Sequence, residues 1–161
     1  MVFSRATEYA IRALAFLAAQ PAGKLAGARE ISEAEGIPMP FLWKILQLLA
    51  RRGLIRSFKG LRGGYELSRP AEQISVSDIV LVTDGNELAT RCVLGLPACG
   101  DQNPCSLHRH WKRIRRDILG MLEGTTLADL ARSAPASASQ RRSRSLPRSR
   151  RTMPRKSSQG V

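Results

Sequence analysis

The sequence predicts a mainly α-helical fold carrying one small β-hairpin, a long helix and a C-terminal tail. Three observations predict it. Three amphipathic helical stretches follow one another over residues 4–52 and lead into two short strands around a glycine-rich basic turn. Further on, Leu107, Trp111, Ile114, Ile118 and Met121 recur at spacings of 4, 3, 4 and 3. From Ser133 onward the chain is almost devoid of apolar bulk.

The first helix is expected from Ser4 to Gln20, because Ala6, Tyr9, Ala10, Ala13, Leu14 and Leu17 make one apolar stripe at helical spacing, and Pro21 and Gly23 end it. A shorter helix over Ala28–Glu35 puts Ile31 and Ala34 on one face, with Gly36 as its stop. Pro38 and Pro40 suit the opening turn of a third helix, where no backbone donor is needed. That helix reaches about Arg52, burying Leu42, Ile45, Leu46 and Leu49, and Gly53 closes it. Two strands, Leu54–Phe58 and Gly64–Ser68, flank Lys59-Gly60-Leu61-Arg62-Gly63, where glycines at both ends permit positive φ. Helix, helix, helix and basic hairpin is the order of a winged helix-turn-helix.

Ser75-Val76-Ser77-Asp78 resembles a capping box and opens a short apolar helix to about Thr83. Residues 84–103 show no clean period and read as a long loop, of the kind that is usually functional or disordered. Asn103-Pro104 looks like the cap of the long helix, which Gly124 ends, and the 4-3-4-3 stripe on it is the seam of a coiled-coil-like contact. Thr126 to Asp129 can cap a last short helix. The expected organisation is therefore a DNA-binding winged helix-turn-helix over 1–83, a cysteine-bearing loop over 84–103, a dimerisation helix with its short successor over 104–132, and a disordered basic tail over 133–161.

Charge points to a polyanion. The chain carries a formal net charge of +13, but eight cations and no acid fall in residues 133–161, so the first 132 residues hold only +5. A basic patch must therefore be located before nucleic acid is invoked. The third helix supplies Met39, Phe41, Trp43, Lys44, Gln47 and Arg51 off its apolar stripe, and the hairpin supplies Arg56, Lys59 and Arg62. A recognition helix enters the major groove by its N-terminal end, which would set Met39 to Lys44 against base edges and the hairpin cations against phosphates or the minor groove. The expected partner is double-stranded DNA, and the alternative use of the same shape is a protein-interaction module.

The start of the chain lacks a basic region followed by a long apolar run, and no stretch approaches the roughly 18–20 apolar residues of a membrane span, so a cytoplasmic protein without a membrane partner is expected. No P-loop, no G-x-S-x-G and no plausible carboxylate pair is present, and an enzyme is not expected.

All three cysteines fall within residues 92–105, as C-x6-C-x5-C followed by x2-H: Cys92, Cys99, Cys105 and His108. In a reducing compartment such a cluster suggests metal binding or redox chemistry rather than a disulfide frame. The close C-x2–4-C pair of structural zinc sites is missing, so spaced thiols from one loop suit an iron–sulfur cluster better. Cys105 is expected in the first turn of the long helix, where the macrodipole favours thiolate, with His108 on the same face. The alternative is three reduced loop cysteines, or a regulator that senses by cysteine oxidation without any cluster.

Several stretches, taken in order, resemble the IscR/NsrR type of winged-helix regulators, the Rrf-two family, over residues 1–132. They are Glu8-Tyr9-Ala10-Ile11-Arg12-Ala13-Leu14, Phe41-Leu42-Trp43-Lys44-Ile45-Leu46, Gly53-Leu54-Ile55-Arg56-Ser57, Gly63-Gly64-Tyr65-Glu66-Leu67, Ala89-Thr90-Arg91-Cys92 and Thr126-Leu127-Ala128-Asp129-Leu130. The resemblance implies a homodimeric bacterial transcription regulator on a pseudo-palindromic operator, with an iron–sulfur cluster (2Fe–2S or 4Fe–4S) on Cys92, Cys99 and Cys105. It implies a fourth ligand at His108, as in the IscR-like branch, or at Glu8 of the partner's first helix, as in the NsrR-like branch. The sequence departs from the family in a first cysteine gap of six residues where five is common, in Pro40 and Trp43 where IscR has polar residues, and in the arginine-rich tail.

Overall fold

A computed structural model describes residues 3–96 and 100–133. Pro97 to Cys99 and the tail beyond Ser133 lie outside the described residues, and with them the expectations for Cys99 and for the tail.

The elements run α1 (Arg5–Ala18), α2 (Ala28–Glu35), α3 (Met39–Arg51), β1 (Ile55–Phe58), β2 (Gly64–Leu67), a single 3-10 turn (Ala71–Gln73), α4 (Val76–Thr83), α5 (Glu87–Thr90), α6 (His108–Gly124) and α7 (Leu127–Ser133). This is the expected mainly α fold with a hairpin wing. Ser4 caps α1, its hydroxyl accepting from the Thr7 backbone N–H at 3.2 Å. The capping box forms as the sequence suggests: Ser75 Oγ accepts from the Asp78 N–H, and Asp78 Oδ2 accepts from the Ser75 N–H, both at 3.0 Å. Thr126 and Asp129 repeat the device at α7. β1 and β2 pair antiparallel with Ile55 opposite Leu67 and Phe58 opposite Gly64.

The main core joins Ala10, Ala13, Leu14 and Leu17 of α1 to Ile31 of α2, Leu42, Ile45, Leu46 and Leu49 of α3, and Ile79 of α4. Leu127 of α7 is fully buried in it too, so the last short helix completes the core of the first half. Ala6, expected in the apolar stripe, is exposed; the buried position is Thr7, whose hydroxyl is satisfied by that of Thr83. A second cluster of Val76, Val80 and Leu122, flanked by Phe3, Leu88 and Ile118, clamps α6 to α4.

Three expectations are corrected. Among the described residues of 84–103 there is one helical turn, α5, which carries an exposed Arg91–Glu87 ion pair at 3.1 Å and packs Leu88 against the second cluster. The long helix starts at His108, not at Pro104: the His108 N–H goes to Cys105 O in a turn, and the helical ladder opens with Trp111 N–H to Leu107 O. Cys105 therefore precedes the helix, and the macrodipole argument for its thiolate falls away. Third, only Gly60 of the wing turn has positive φ, at 102°. Gly63 is needed for a different reason, since a Cβ there would collide with Phe58 O and lie 2.9 Å from Gly60 O.

Candidate nucleic-acid interface and cysteine centre

α3 buries one face and presents the other. Phe41 (56% exposed), Trp43 (57%), Lys44, Gln47 and Arg51 lie on the solvent side. Met39 is half-buried against the core, and the exposed surface of the helix begins at Pro40. Phe41 meets the Tyr9 ring edge-on, with centroids 6.4 Å apart and planes at 61°. Tyr9 in turn lies 5.9 Å beneath the Arg12 guanidinium, which also faces Glu8 at 3.6 Å and Glu35 at 3.5 Å. Sequence reading gave Tyr9 a place in the apolar stripe and no surface role; its i,i+3 relation to Arg12 was the available signal.

The wing presents its cations unequally. Arg56 forms an ion pair at 2.9 Å with Glu66, its partner across the hairpin, and is partly neutralised. Lys59 and Arg62 are exposed and form no ion pair among the described residues, with fully exposed Leu61 between them at the tip. The turn is fixed to the body: Ala26 and Tyr65 exchange backbone hydrogen bonds at 3.0 and 2.9 Å. The structure thus sets an exposed, acid-free helix face beside a tethered basic hairpin, an arrangement suited to a duplex groove and its phosphates.

The cysteine segment packs against the start of α6. Cys92 is buried (5% exposed), Cys105 is half-buried and His108 is 8% exposed. His108 Nε2 donates to Asp101 Oδ1 at 3.0 Å, and Lys112 Nζ donates to the same carboxylate at 2.7 Å. The Lys112 hydrogen bond, then that of His108, hold the Asp101 carboxyl below the usual carboxylate range. Glu8, the other sequence-suggested ligand, is exposed on α1 and engaged with Arg12. His110 is exposed. Asp101 and Lys112 were not singled out from sequence. Lys112 lies at i+4 from His108, a readable signal, but the approach of Asp101 depends on how the loop folds.

The expected dimer seam divides on inspection. The Trp111 indole N–H donates to Arg91 O at 3.0 Å, and Arg115, 5.6 Å from its ring, reaches Ala89 O. Trp111 thus braces the cysteine segment of its own chain. Ile118 packs on the second cluster, leaving Leu107, Ile114 and Met121 exposed. Cys92 and Trp111 also help line a cavity of about 960 Å³ walled by Phe3 and Ser4 before α1 and by Val80, Thr83 and Asp84 at the end of α4.

The profile of the Rrf2 (Rrf-two) family, described as iron-dependent transcriptional regulators, matches residues 3–133. A protein of Aquifex aeolicus named as an HTH-type transcriptional regulator is 35% identical over 132 residues, covering 81% of this chain and 91% of that one. Among solved structures, CymR, the global cysteine regulator of B. subtilis, superposes with a TM-score of 0.69 at 25% identity, covering 83% of this chain and 98% of that one. T. potens IscR superposes with a TM-score of 0.65 at 26% identity, covering 82% of this chain and 87% of its own. Among the described residues no helix is long and apolar enough to cross a membrane. With the family profile spanning every described element, and with the winged helix-turn-helix in place, the chain belongs to the Rrf2 family of transcription regulators.

Proposed function

We propose that this chain acts as a homodimer on a pseudo-palindromic operator, and that an iron–sulfur cluster held by Cys92, Cys99 and Cys105, with His108 as fourth ligand, sets its affinity. The observation that carries the reading is the Asp101–His108 hydrogen bond at 3.0 Å beside the cysteine segment. A metal-ligating imidazole is commonly oriented in this way by a carboxylate on its other ring nitrogen. By residue type the donors suit a cluster: one buried thiol, one half-buried thiol and a nearly buried imidazole lie within residues 92–108, and thiolates are the usual ligands of such clusters. Among the described residues no three of these groups are gathered to hold a metal, and Cys99 lies outside those residues. His108 is nearly buried beside the cysteine segment, whereas Glu8 is exposed on α1, which favours His108 over it. When bound, the cluster supplies a centre responsive to iron supply, oxidants or nitric oxide.

Regulation requires that the loaded segment favour one arrangement of the reading heads over another. Cys92 shares its cavity with the ends of α1 and α4, and both helices pack against α3. Loop order is thereby linked to the recognition helix. Leu107, which caps α6, and Ile114 and Met121 on it are exposed and support a second copy of the chain as their cover, and two-fold symmetry gives the palindromic operator.

Anaerobic isolation followed by absorbance spectroscopy and counting of iron and sulfide tests the assignment and gives the nuclearity. Cluster absorbance lost on Cys92→Ala, Cys99→Ala or Cys105→Ala, and shifted or labile on His108→Ala but not Glu8→Ala, is the expected result. The second reading, a cluster-free regulator sensing cysteine oxidation, draws support from the likeness to CymR. Protein isolated without iron or sulfide, whose operator binding changes on thiol oxidation, would establish that reading instead.

A further inference from the structure

The exposed face of α3 carries a chemistry that specifies more than attachment to DNA. Its first two turns present Pro40, Trp43 and Lys44, and Gln47 lies one turn beyond Trp43. Pro40 and Trp43 are three residues apart and Pro40 and Lys44 four, so these side chains are neighbours on the helix surface. Phe41 lies to the other side, edge-on to Tyr9. Among the described residues no ring contact or hydrogen bond occupies Trp43, and more than half of it faces water. An indole so displayed leaves most of its apolar surface uncovered in the free chain. Lys44 on the same helix and the exposed Lys59 and Arg62 of the wing are cations suited to a phosphate backbone rather than to an apolar partner.

Within the major groove, the apolar feature that base edges offer is the C5-methyl group of thymine. Pro40 has no side-chain donor or acceptor, and the indole has a single N–H donor, so neither can read the hydrogen-bond code at length. Their apolar surfaces can, however, cover methyl groups. Lys44 meets the guanine O6 and N7 acceptors, and Gln47 suits an adenine edge. We propose that Trp43, with Pro40 beside it, reads thymine methyl groups, so that each operator half-site sets a thymine under Trp43 next to a guanine taken by Lys44. This rests on α3 being the base-reading helix and adds which bases it selects.

The full chain is used to enrich binding sites from a pool of random-sequence duplexes. Each thymine of the enriched half-site is then replaced singly by deoxyuridine, which removes the methyl and leaves base pairing intact. At least one position should lose about fourfold in affinity, the factor expected when one methyl group's surface is no longer taken out of water. Trp43→Ala should abolish the loss at that position, Trp43→Phe should retain it, and Lys44→Ala should relax selection for the neighbouring guanine. Enriched sites at which deoxyuridine costs the unmodified protein nothing would overturn the proposal while leaving base reading intact. So would a Trp43→Ala protein as methyl-sensitive as its parent. Failure to enrich any sequence would overturn the assignment of α3 itself.

Discussion

Asp84 closes α4 and also accepts the backbone N–H of Ser4 at 3.0 Å, so one carboxylate ties the start of α1 to the end of α4. Burial alone pushes its carboxyl up, but the hydrogen bonds from Ser4 and Thr7 outweigh that and hold it below the ordinary value. A carboxyl whose native pKa is depressed stabilises the fold fully above its unfolded value, about 3.9, and loses that contribution as pH falls through the native value. Asp84→Ala should therefore lower the melting temperature at neutral pH, with the gap to the unmodified protein closing below about pH 4. A gap independent of pH would place the effect in packing rather than in charge. Local residue roles of this sort were partly readable. The capping pair Ser75 and Asp78 and the helix-opening prolines follow from adjacent positions alone. The Asp84–Ser4 and Asp101–His108 bonds do not, because each joins segments whose proximity only the tertiary fold decides.

Elements with strong periodicity were legible almost to the residue, and those built on tertiary contacts were not. α2 and the hairpin stand where the patterning puts them, since each is bounded by turn residues. The start of α6 was misplaced because a proline preceded by asparagine mimics a helix cap, while the chain there is turned by Cys105 O and held over the helix by Asp101. The wing makes a test of its own. Lys59→Ala and Arg62→Ala should each lower the salt slope of DNA binding by about 0.9 for every phosphate left without its cation. Gly63→Ala removes no charge, yet its Cβ collides with Phe58 O; it should cut affinity like the cation variants while the helical melt barely moves. Normal DNA binding by Gly63→Ala would show the wing's shape to be irrelevant. On α6, Leu122 and Ile114 should separate fold from assembly. Leu122, buried against α4, should cost about 2–5 kcal/mol of chain stability on truncation to alanine. Ile114→Asp instead alters an exposed position of the chain, and should move the protein towards monomer in sedimentation without a comparable loss of fold.

At the scale of the molecule, packed elements lie between the cysteine segment and α3. Cys92 lines the cavity bounded by the first residues of the chain and the end of α4, Trp111 fastens the same segment to α6, and α1 and α4 both pack on α3. Cys92, Val93 and Gly95 of this segment share the cavity lining with Phe3, Ser4 and Val80. Transmission through packed side chains is discrete, since interiors repack rather than deform continuously. Loaded and unloaded forms should accordingly differ in operator affinity by about 5–150-fold, the usual span of coupling between two sites. Cys92→Ala should hold the protein at the unloaded affinity under every condition. Val80→Ala removes no thiol and thins a wall of the cavity that Cys92 lines, and should narrow the difference while leaving cluster absorbance in place. Gel-shift titrations of both forms at fixed salt measure each quantity. Equal affinity of loaded and unloaded protein would make the centre structural, and an undiminished difference in Val80→Ala would route the coupling away from the α1–α4 wall.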